Sequence, residues 1–185
     1  DENRYFDVFV EYAKAGPEDI LMRVTAHNRG DQPAVLHLLP QLWFRNTWSW
    51  GYNPKRPEMS ATELGNVSVR HDELGDYHWY AEGGPEFVFS DNDTNVRRLY
   101  GTEADGYFKD AFHDFLIDGR IEAVNPQQSG TKAAALYRVE VPAGDHAVLR
   151  LRLAKGLTGD AFAGFDGLMQ TRIDEADTFY ADLQA

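Results

Sequence analysis

The fold is decided by residues 135–153, whose sequence is ALYRVEVPAGDHAVLRLRL. Apolar side chains recur at every second position in 135–141 and again in 147–153, and a Pro-Ala-Gly-Asp turn at 142–145 separates the two runs. Because successive side chains of a strand point to opposite faces, this period indicates two half-buried strands. We therefore predict an antiparallel β-hairpin here, the clearest in the sequence.

The same alternation begins near the amino terminus. Two runs, 6–13 and 20–27, are separated by a turn at 16–19, so they predict a second antiparallel pair. A third run, 34–44, contains Pro40, which has no N–H for a ladder, so we expect a sheet edge or a bulge there. The residues expected on the buried faces of the first two runs are Phe6, Val8, Val10, Tyr12, Ile20, Met22, Val24 and Ala26.

Shorter strands are predicted in the middle of the chain, at 67–71, 77–81 and 86–90, each bounded by turn residues. Residues 92–128 are the least regular part of the sequence. Within them, 108–116 has the three- and four-residue apolar spacing of a short helix, but a strand can also be drawn through 112–117.

The period of the apolar residues changes after Gly159, to every third or fourth position, which is typical of an amphipathic helix with Asp160 as its N-cap. We therefore predict a mainly all-β protein, an antiparallel β-sandwich over 1–159 followed by a C-terminal amphipathic helix over 160–185. An α+β domain is the alternative if 92–128 is more helical. The apolar helix positions are Phe162, Phe165, Leu168, Met169, Ile173, Ala176, Phe179, Tyr180 and Leu183.

The composition excludes several classes of function. The 30 acidic and 18 basic residues give a formal net charge of −12, which argues against nucleic acid or an anionic membrane as partner. The absence of cysteine from the sequence excludes disulfides, cysteine-ligated zinc and a thiolate nucleophile, and it fits a cytoplasmic protein. Because the chain starts at Asp1 without a methionine, we expect it to be a piece of a longer protein.

The most distinctive motif is an aromatic loop at 43–52, WFRNTWSWGY, which holds three of the four tryptophans. Indole rings stack on the C–H face of a sugar, while arginine and asparagine donate hydrogen bonds to its hydroxyls. The same residue types dominate protein interfaces, so the loop equally fits packing on a neighbouring domain. The candidate sugar-cleft or domain-interface residues are Arg45, Asn46, Trp48, Trp50 and Tyr52.

Two polar clusters carry weaker signals. On a helix, Asp110, His113 and Asp114 would lie at neighbouring positions as a metal or acid/base group, but they lack a fourth ligand. Residues 91–95, DNDTN, begin like a calcium loop, yet Val96 stands where that loop requires glycine. Motifs of serine hydrolases, zinc proteases, P-loops and dinucleotide sites are absent from the sequence. We therefore assign no catalytic residue, no metal site and no cofactor.

Five phrases of the sequence together resemble a known family. They are DENRYFDVFVEYAK at 1–14, LLPQLWFRNTWSW at 38–50, KDAFHD at 109–114, GTKAA at 130–134 and DEADTFY at 174–180. With them, nearly the whole chain resembles an internal region of large bacterial glucosidases or mannosylglycerate-hydrolase-like enzymes, similar to glycoside hydrolase family 63.

In that family a β-sandwich domain, of the super-sandwich type, precedes an (α/α)6 barrel that carries the acid and base carboxylates and cleaves with inversion. The resemblance implies that this chain is the non-catalytic domain of an α-glucoside or α-mannoside hydrolase. Its partners would be the catalytic (α/α)6 domain of the same chain and the carbohydrate substrate, and its final helix would lead into the barrel. No position here matches the family's catalytic motifs.

Two other functions stay open from the sequence. Exposed tryptophans would suit an autonomous carbohydrate-binding module, and Asp110, His113 and Asp114 would serve a small complete enzyme. For the isolated chain we also expect an exposed apolar patch through which it self-associates.

Overall fold

The computed structural model describes residues 4–51, 55–156 and 159–184. The protein is mainly β, with antiparallel strands and a helix at the carboxyl end, which confirms the predicted all-β class. Two compact units make up the chain: Asp1–Leu36, Tyr77–Gly83 and Val139–Ala185 in the first, and His37–Asp76 and Gly84–Arg138 in the second.

The described residues form eleven strands and three α-helices. The strands are β1 (Phe6–Gly16), β2 (Asp19–Asn28), β3 (Ala34–Leu38), β4 (Gln41–Trp43), β5 (Glu58–Ala61), β6 (Val67–His71), β7 (Gly75–Ala81), β8 (Glu86–Ser90), β9 (Ser129–Gly130), β10 (Lys132–Val141) and β11 (His146–Lys155). The helices are α1 (Val96–Tyr100), α2 (Ala111–Leu116) and α3 (Phe165–Gln184), and a 3-10 turn covers Ile121–Ala123. The three short strands predicted in the middle of the chain correspond to β6, β7 and β8.

The first unit is built on antiparallel strands in the order β1, β2, β11 and β7. Val24 of β2 lies opposite Val10 on one side and opposite Leu149 of β11 on the other. The predicted pairing of β1 with β2 is therefore confirmed, with a bulge between Lys14 and Gly16.

The hairpin predicted at 135–153 is wrong, although both of its strands exist. β11 pairs with β2 and β7, whereas β10 pairs with β4 and β8. The turn between them is present, since the Asp145 N–H donates to the Pro142 carbonyl at 3.2 Å. Alternation along a sequence identifies a strand and its two faces but not the strand that lies beside it.

β1 is the outermost strand of its sheet, and its apolar side chains are exposed. The sequence placed Val8, Val10 and Tyr12 on a buried face, but Tyr12 is 68% exposed and the two valines are nearly half exposed. On β2, Val24 and Ala26 of the same face are buried. The prediction failed for β1 because a terminal strand has a neighbour on one side only.

Helix α3 packs its first two turns against the sheet. Phe165 and Met169 are buried in one cluster with Ala13 of β1 and Leu21 of β2. The far end of the helix is different, because Phe179 and the apolar residues that follow it are exposed. The apolar stripe predicted from the sequence is thus covered only along its first half.

The helix begins at Phe165, five residues after the predicted start at 160. Gly164 has a φ of 69°, a left-handed conformation outside the helical range, so it ends the preceding turn. Asp160 accepts a hydrogen bond from the Phe162 N–H at 3.0 Å within that turn, and it does not cap α3 as predicted.

The second unit is organised around β10. Ala133 of β10 lies opposite Leu42 of β4 and opposite Phe89 of β8. β5 pairs with both β6 and β9. The interruption expected at Pro40 is found between β3 and β4, where the Pro40 carbonyl accepts from the Ala135 N–H at 3.0 Å.

The irregular region of the sequence contains α1, α2 and the 3-10 turn rather than a strand through 112–117. Phe112 of α2 is buried with Val88, Val124 and Ala134, and Phe115 packs against this cluster. The short helices are therefore held by the core of the second unit, and the candidate sites lie on this frame.

Candidate functional site

Two residues of the aromatic loop are fixed by one carboxylate, that of Asp93. The Asn46 side-chain amide donates to Asp93 Oδ1 at 2.5 Å, and the Trp48 indole N–H donates to the same oxygen at 3.0 Å. Asp93 Oδ2 accepts from the Arg56 guanidinium at 2.5 Å, and that group also lies 5.4 Å from the centre of the Trp48 ring. Since Trp48 is half-buried and its N–H is engaged, Asn46 and Trp48 hold the loop in shape.

The acidic segment DNDTN at 91–95 supplies further contacts that anchor the aromatic loop. Asp91 Oδ2 lies 3.1 Å from Arg56 Nη2, and the Asn92 side-chain amide donates to the Phe44 carbonyl at 2.8 Å. Asn92 and Phe44 are 48 residues apart in sequence, so no local pattern reveals that they meet. The run that begins like a calcium loop therefore anchors the aromatic loop.

Two tryptophans and the arginine of the loop are exposed. Trp43, at the end of β4, is 55% exposed, and Trp50 is 57% exposed. The guanidinium carbon of the exposed Arg45 lies 5.5 Å from the centre of the Trp50 ring, a cation–π distance. The remaining candidate, Tyr52, lies outside the described residues.

A cavity of about 420 Å³ opens beside Trp43 and Arg45, and its other wall is the turn between β6 and β7. His71 in that wall stacks on Phe44, with ring centres 5.3 Å apart. His71 Nδ1 accepts the backbone N–H of Glu73 at 3.1 Å and a second one at 3.3 Å, so the neutral imidazole carries its proton on Nε2.

This cavity combines an exposed indole, a guanidinium, an imidazole of fixed tautomer and the carboxylate of Glu73. Flat apolar surface beside hydrogen-bond donors and acceptors suits a saccharide. Glycoside cleavage requires two carboxylates at a defined separation, and Glu73 is the one carboxylate among the described residues of the lining. The arrangement is suited to binding a saccharide.

Sequence reasoning missed three contributors to this cavity. Trp43 lies in the aromatic motif but was not among the selected residues, while His71 and Glu73 belong to a segment read only as a strand end and a turn. The stacking of His71 on Phe44 joins positions 27 residues apart in the numbering, and alternation within either segment gives no signal of it.

The structure pairs two residues of the candidate acid/base group with arginine instead of joining all three. Arg98 Nη1 lies 3.1 Å from Asp110 Oδ2 and 3.3 Å from Asp114 Oδ1. Arg120 Nη1 reaches Asp114 Oδ2 at 3.1 Å, and His113 is exposed. In the part of the chain that the structure describes, no three histidine, aspartate or glutamate residues are placed to hold a metal ion.

A lysine attaches β10 to the segment beside α2. Lys132 Nζ donates to the Lys109 carbonyl at 2.7 Å and lies 4.9 Å from the centre of the Phe112 ring. Burial lowers the pKa of Lys132, and the nearby ammonium of Lys109 lowers it further. Its cation is thus held by an aromatic face and a carbonyl.

Comparison with known proteins relates the chain to a yeast protein. The chain is 31% identical to the uncharacterized protein YMR196W of Saccharomyces cerevisiae, over an alignment of 220 residues that covers 97% of the chain and 20% of the yeast protein. The chain therefore spans about a fifth of the length of the curated relative it matches. No family model matches the sequence. Among the described residues, no helix is both long enough and apolar enough to cross a membrane.

Proposed function

We propose that this chain is the non-catalytic β-sandwich domain of a cytoplasmic glycoside hydrolase of the family 63 kind. It would support a catalytic (α/α)6 domain of the same chain that acts on an α-glucoside or α-mannoside. The motif resemblance supports this proposal, and so does the exposed half of α3, which leaves apolar surface for a further domain.

The observation that carries the proposal is that some side chains of the aromatic loop are anchored by hydrogen bonds whereas others are exposed. Asp93 fixes Asn46 and Trp48, while Trp43 and Arg45 stay exposed at the edge of a cavity. Trp50 is exposed beside Arg45. A rigid loop that presents indoles and a guanidinium is suited to form one wall of a sugar cleft. The wall would bind substrate, and the catalytic carboxylates would come from the partner domain.

Hydrolysis assays on the chain test the absence of catalysis. We expect aryl α-glucosides and aryl α-mannosides to be hydrolysed no faster with the chain than in buffer alone. Turnover above background that is abolished by a point substitution within the chain, such as Glu73→Gln or Asp114→Asn, would contradict the proposal.

An autonomous carbohydrate-binding module is the second candidate, because the exposed Trp43 and Trp50 are available without a partner domain. Titration with maltose, trehalose or mannosylglycerate, followed by tryptophan fluorescence, separates the two functions. A supporting wall binds weakly by itself, whereas a dissociation constant below about 1 mM favours the module. Binding by the module would be lost in Trp43→Ala and kept in Leu64→Ala, which removes an apolar side chain that is 75% exposed elsewhere.

A further inference from the structure

A second cavity of the second unit lies away from the aromatic loop, between α1, α2 and the 3-10 turn. Its volume is about 500 Å³, within the range of small-molecule sites. Asn95 joins two of its walls, because its side-chain oxygen accepts from the Arg98 N–H at 3.0 Å and its amide donates to both oxygens of Asp110 at 3.2 Å.

Alternating charges fix the side chains that line this cavity. Asp114 is the centre, because its two oxygens accept separately from Arg98 at 3.3 Å and from Arg120 at 3.1 Å. Arg98 also holds Asp110, and Arg120 Nε lies 3.3 Å from Glu122. The side chain of Asp114 is 15% exposed, whereas those of the two arginines are more than half exposed. The guanidinium planes are thus set in advance by a carboxylate that is itself mostly covered.

Several polar side chains of the lining have hydrogen-bonding atoms without a partner among the described residues. Arg98 and Arg120 make their ion pairs to Asp114 through Nη1 alone, and Nη2 of each has no partner among the described residues. Within the same part of the chain, the side chains of Arg97 and Asp118 form no hydrogen bond or ion pair, and both residues line the cavity. The cavity therefore presents guanidinium donors held in place on Arg98 and Arg120, together with the unpaired side chains of Arg97 and Asp118.

The charge balance selects the class of ligand. Three arginines face four carboxylates in the lining, and the whole chain carries −12, so a simple anion gains no net attraction. Phe108 and the methyl group of Ala111 add apolar surface. A neutral ligand that offers hydroxyl donors, hydroxyl acceptors and C–H faces matches such a lining.

We propose that this cavity binds a neutral polyhydroxylated small molecule, such as a mono- or disaccharide, through Arg97, Arg98, Arg120 and Asp118. The site is separate from the aromatic loop and requires no catalytic domain, so it stands independently of the proposed function.

Nuclear magnetic resonance titration of the whole chain with glucose, trehalose and myo-inositol tests the site. At least one probe is expected to give saturable shifts of the amides of Gly106, Ala111 and Ala123, with a dissociation constant on the order of millimolar. Arg97→Ala, which breaks no ion pair of the described residues, should weaken binding by about threefold or more, and Arg98→Ala by about tenfold. Arg70→Ala, which removes an exposed guanidinium elsewhere in the same unit, should leave binding unchanged.

Three results would overturn the proposal. The first is an absence of saturable shifts with all three probes up to about 100 mM. The second is equal binding by the parent chain and both cavity variants. The third is binding that survives Arg97→Ala but disappears in Trp43→Ala. The last would assign the ligand to the aromatic loop. Because Arg97 lies outside the ion-pair network, its variant keeps the test valid even if Arg98→Ala fails to fold.

Discussion

At Gly130 the backbone passes so close to Ser90 that a side chain has no room. An added Cβ would lie 2.3 Å from the Ser90 carbonyl oxygen and 3.0 Å from its carbon, both of which belong to a strand. Neither atom can move like the end of a flexible side chain. The glycine in the GTKAA phrase is thus required by close packing rather than by a left-handed backbone.

Gly130→Ala is therefore expected to destabilise the protein by about 1–3 kcal/mol, as overpacking of a rigid site does. Urea unfolding followed by circular dichroism measures the change. Gly16→Ala is the matched control, because a Cβ there meets nothing within 4 Å. Equal stability of the two variants would show that β8 and β9 do not approach as described.

The stability of the first unit depends on pH through Glu11. Its carboxylate accepts two hydrogen bonds from Arg23, at 2.8 and 3.0 Å, and these hold the pKa of Glu11 below its usual value of 4.5. A carboxyl group whose pKa is lower in the folded than in the unfolded state stabilises the fold at pH values above its unfolded-state pKa. This stabilisation disappears as the pH falls through the folded-state pKa. The carboxylate is partly exposed, so its contribution is less than about 1 kcal/mol.

Glu11→Gln should consequently be less stable than the parent chain at about pH 7 and equally stable at about pH 3. Urea midpoints at the two pH values provide the measurement, with Glu140→Gln, an exposed residue without an ion pair in the described part of the chain, as the control. A stability loss of the same size at both pH values would mean that the pair with Arg23 is not formed.

At the level of elements, the conformation of the aromatic loop depends on the distant side chain of Asp93. Asp93→Ala removes the acceptor used by Asn46, Trp48 and Arg56. Asn46 keeps the Asn92 carbonyl and Arg56 keeps Asp91, but the Trp48 indole N–H loses its acceptor, so the cost is expected to be about 1–3 kcal/mol.

Loss of Asp93 should also shift tryptophan emission to longer wavelength, since Trp48 would become hydrated. Asp105→Ala is the control, because Asp105 is exposed and contacts none of the loop anchors. Unchanged emission and stability in Asp93→Ala would contradict the anchoring of the loop.

What the sequence predicts well at the level of elements is strand position. β6 and β8 begin and end where apolar alternation and turn residues place them, and β1 and β2 pair as expected because a short turn joins them. The start of α3 and the partner of β11 were not predicted. They depend on Gly164 and on contacts between distant strands, which no local period records.

The anchors of the candidate site escaped sequence reasoning for the same reason. Arg45, Asn46, Trp48 and Trp50 were found from residue type alone. Type alone does not distinguish an indole that donates to a carboxylate, as in Trp48, from one that stays exposed, as in Trp50.

For the whole molecule, the exposed apolar surface of the first unit predicts self-association of the isolated chain. A terminal strand with exposed apolar side chains is a template for pairing with another chain. The exposed apolar residues of the first unit include Val8, Phe9, Val10 and Tyr12 on β1, and Phe179, Tyr180 and Leu183 on α3.

Sedimentation velocity should show concentration-dependent dimers, and Val10→Lys should suppress them by placing a charge on the strand edge. Val35→Lys, at an exposed valine of β3, serves as the control. A chain that stays monomeric up to about 0.1 mM would contradict this expectation.

The pairing of β2 with β11 has a consequence for biosynthesis. Asp19 and Arg152, which join these strands through two hydrogen bonds, are 133 residues apart. A nascent chain can form the local β1–β2 pair early, yet the other edge of β2 has no partner strand until β11 has left the ribosome. Such high contact order slows folding, and during the delay the open edge is a target for chaperones.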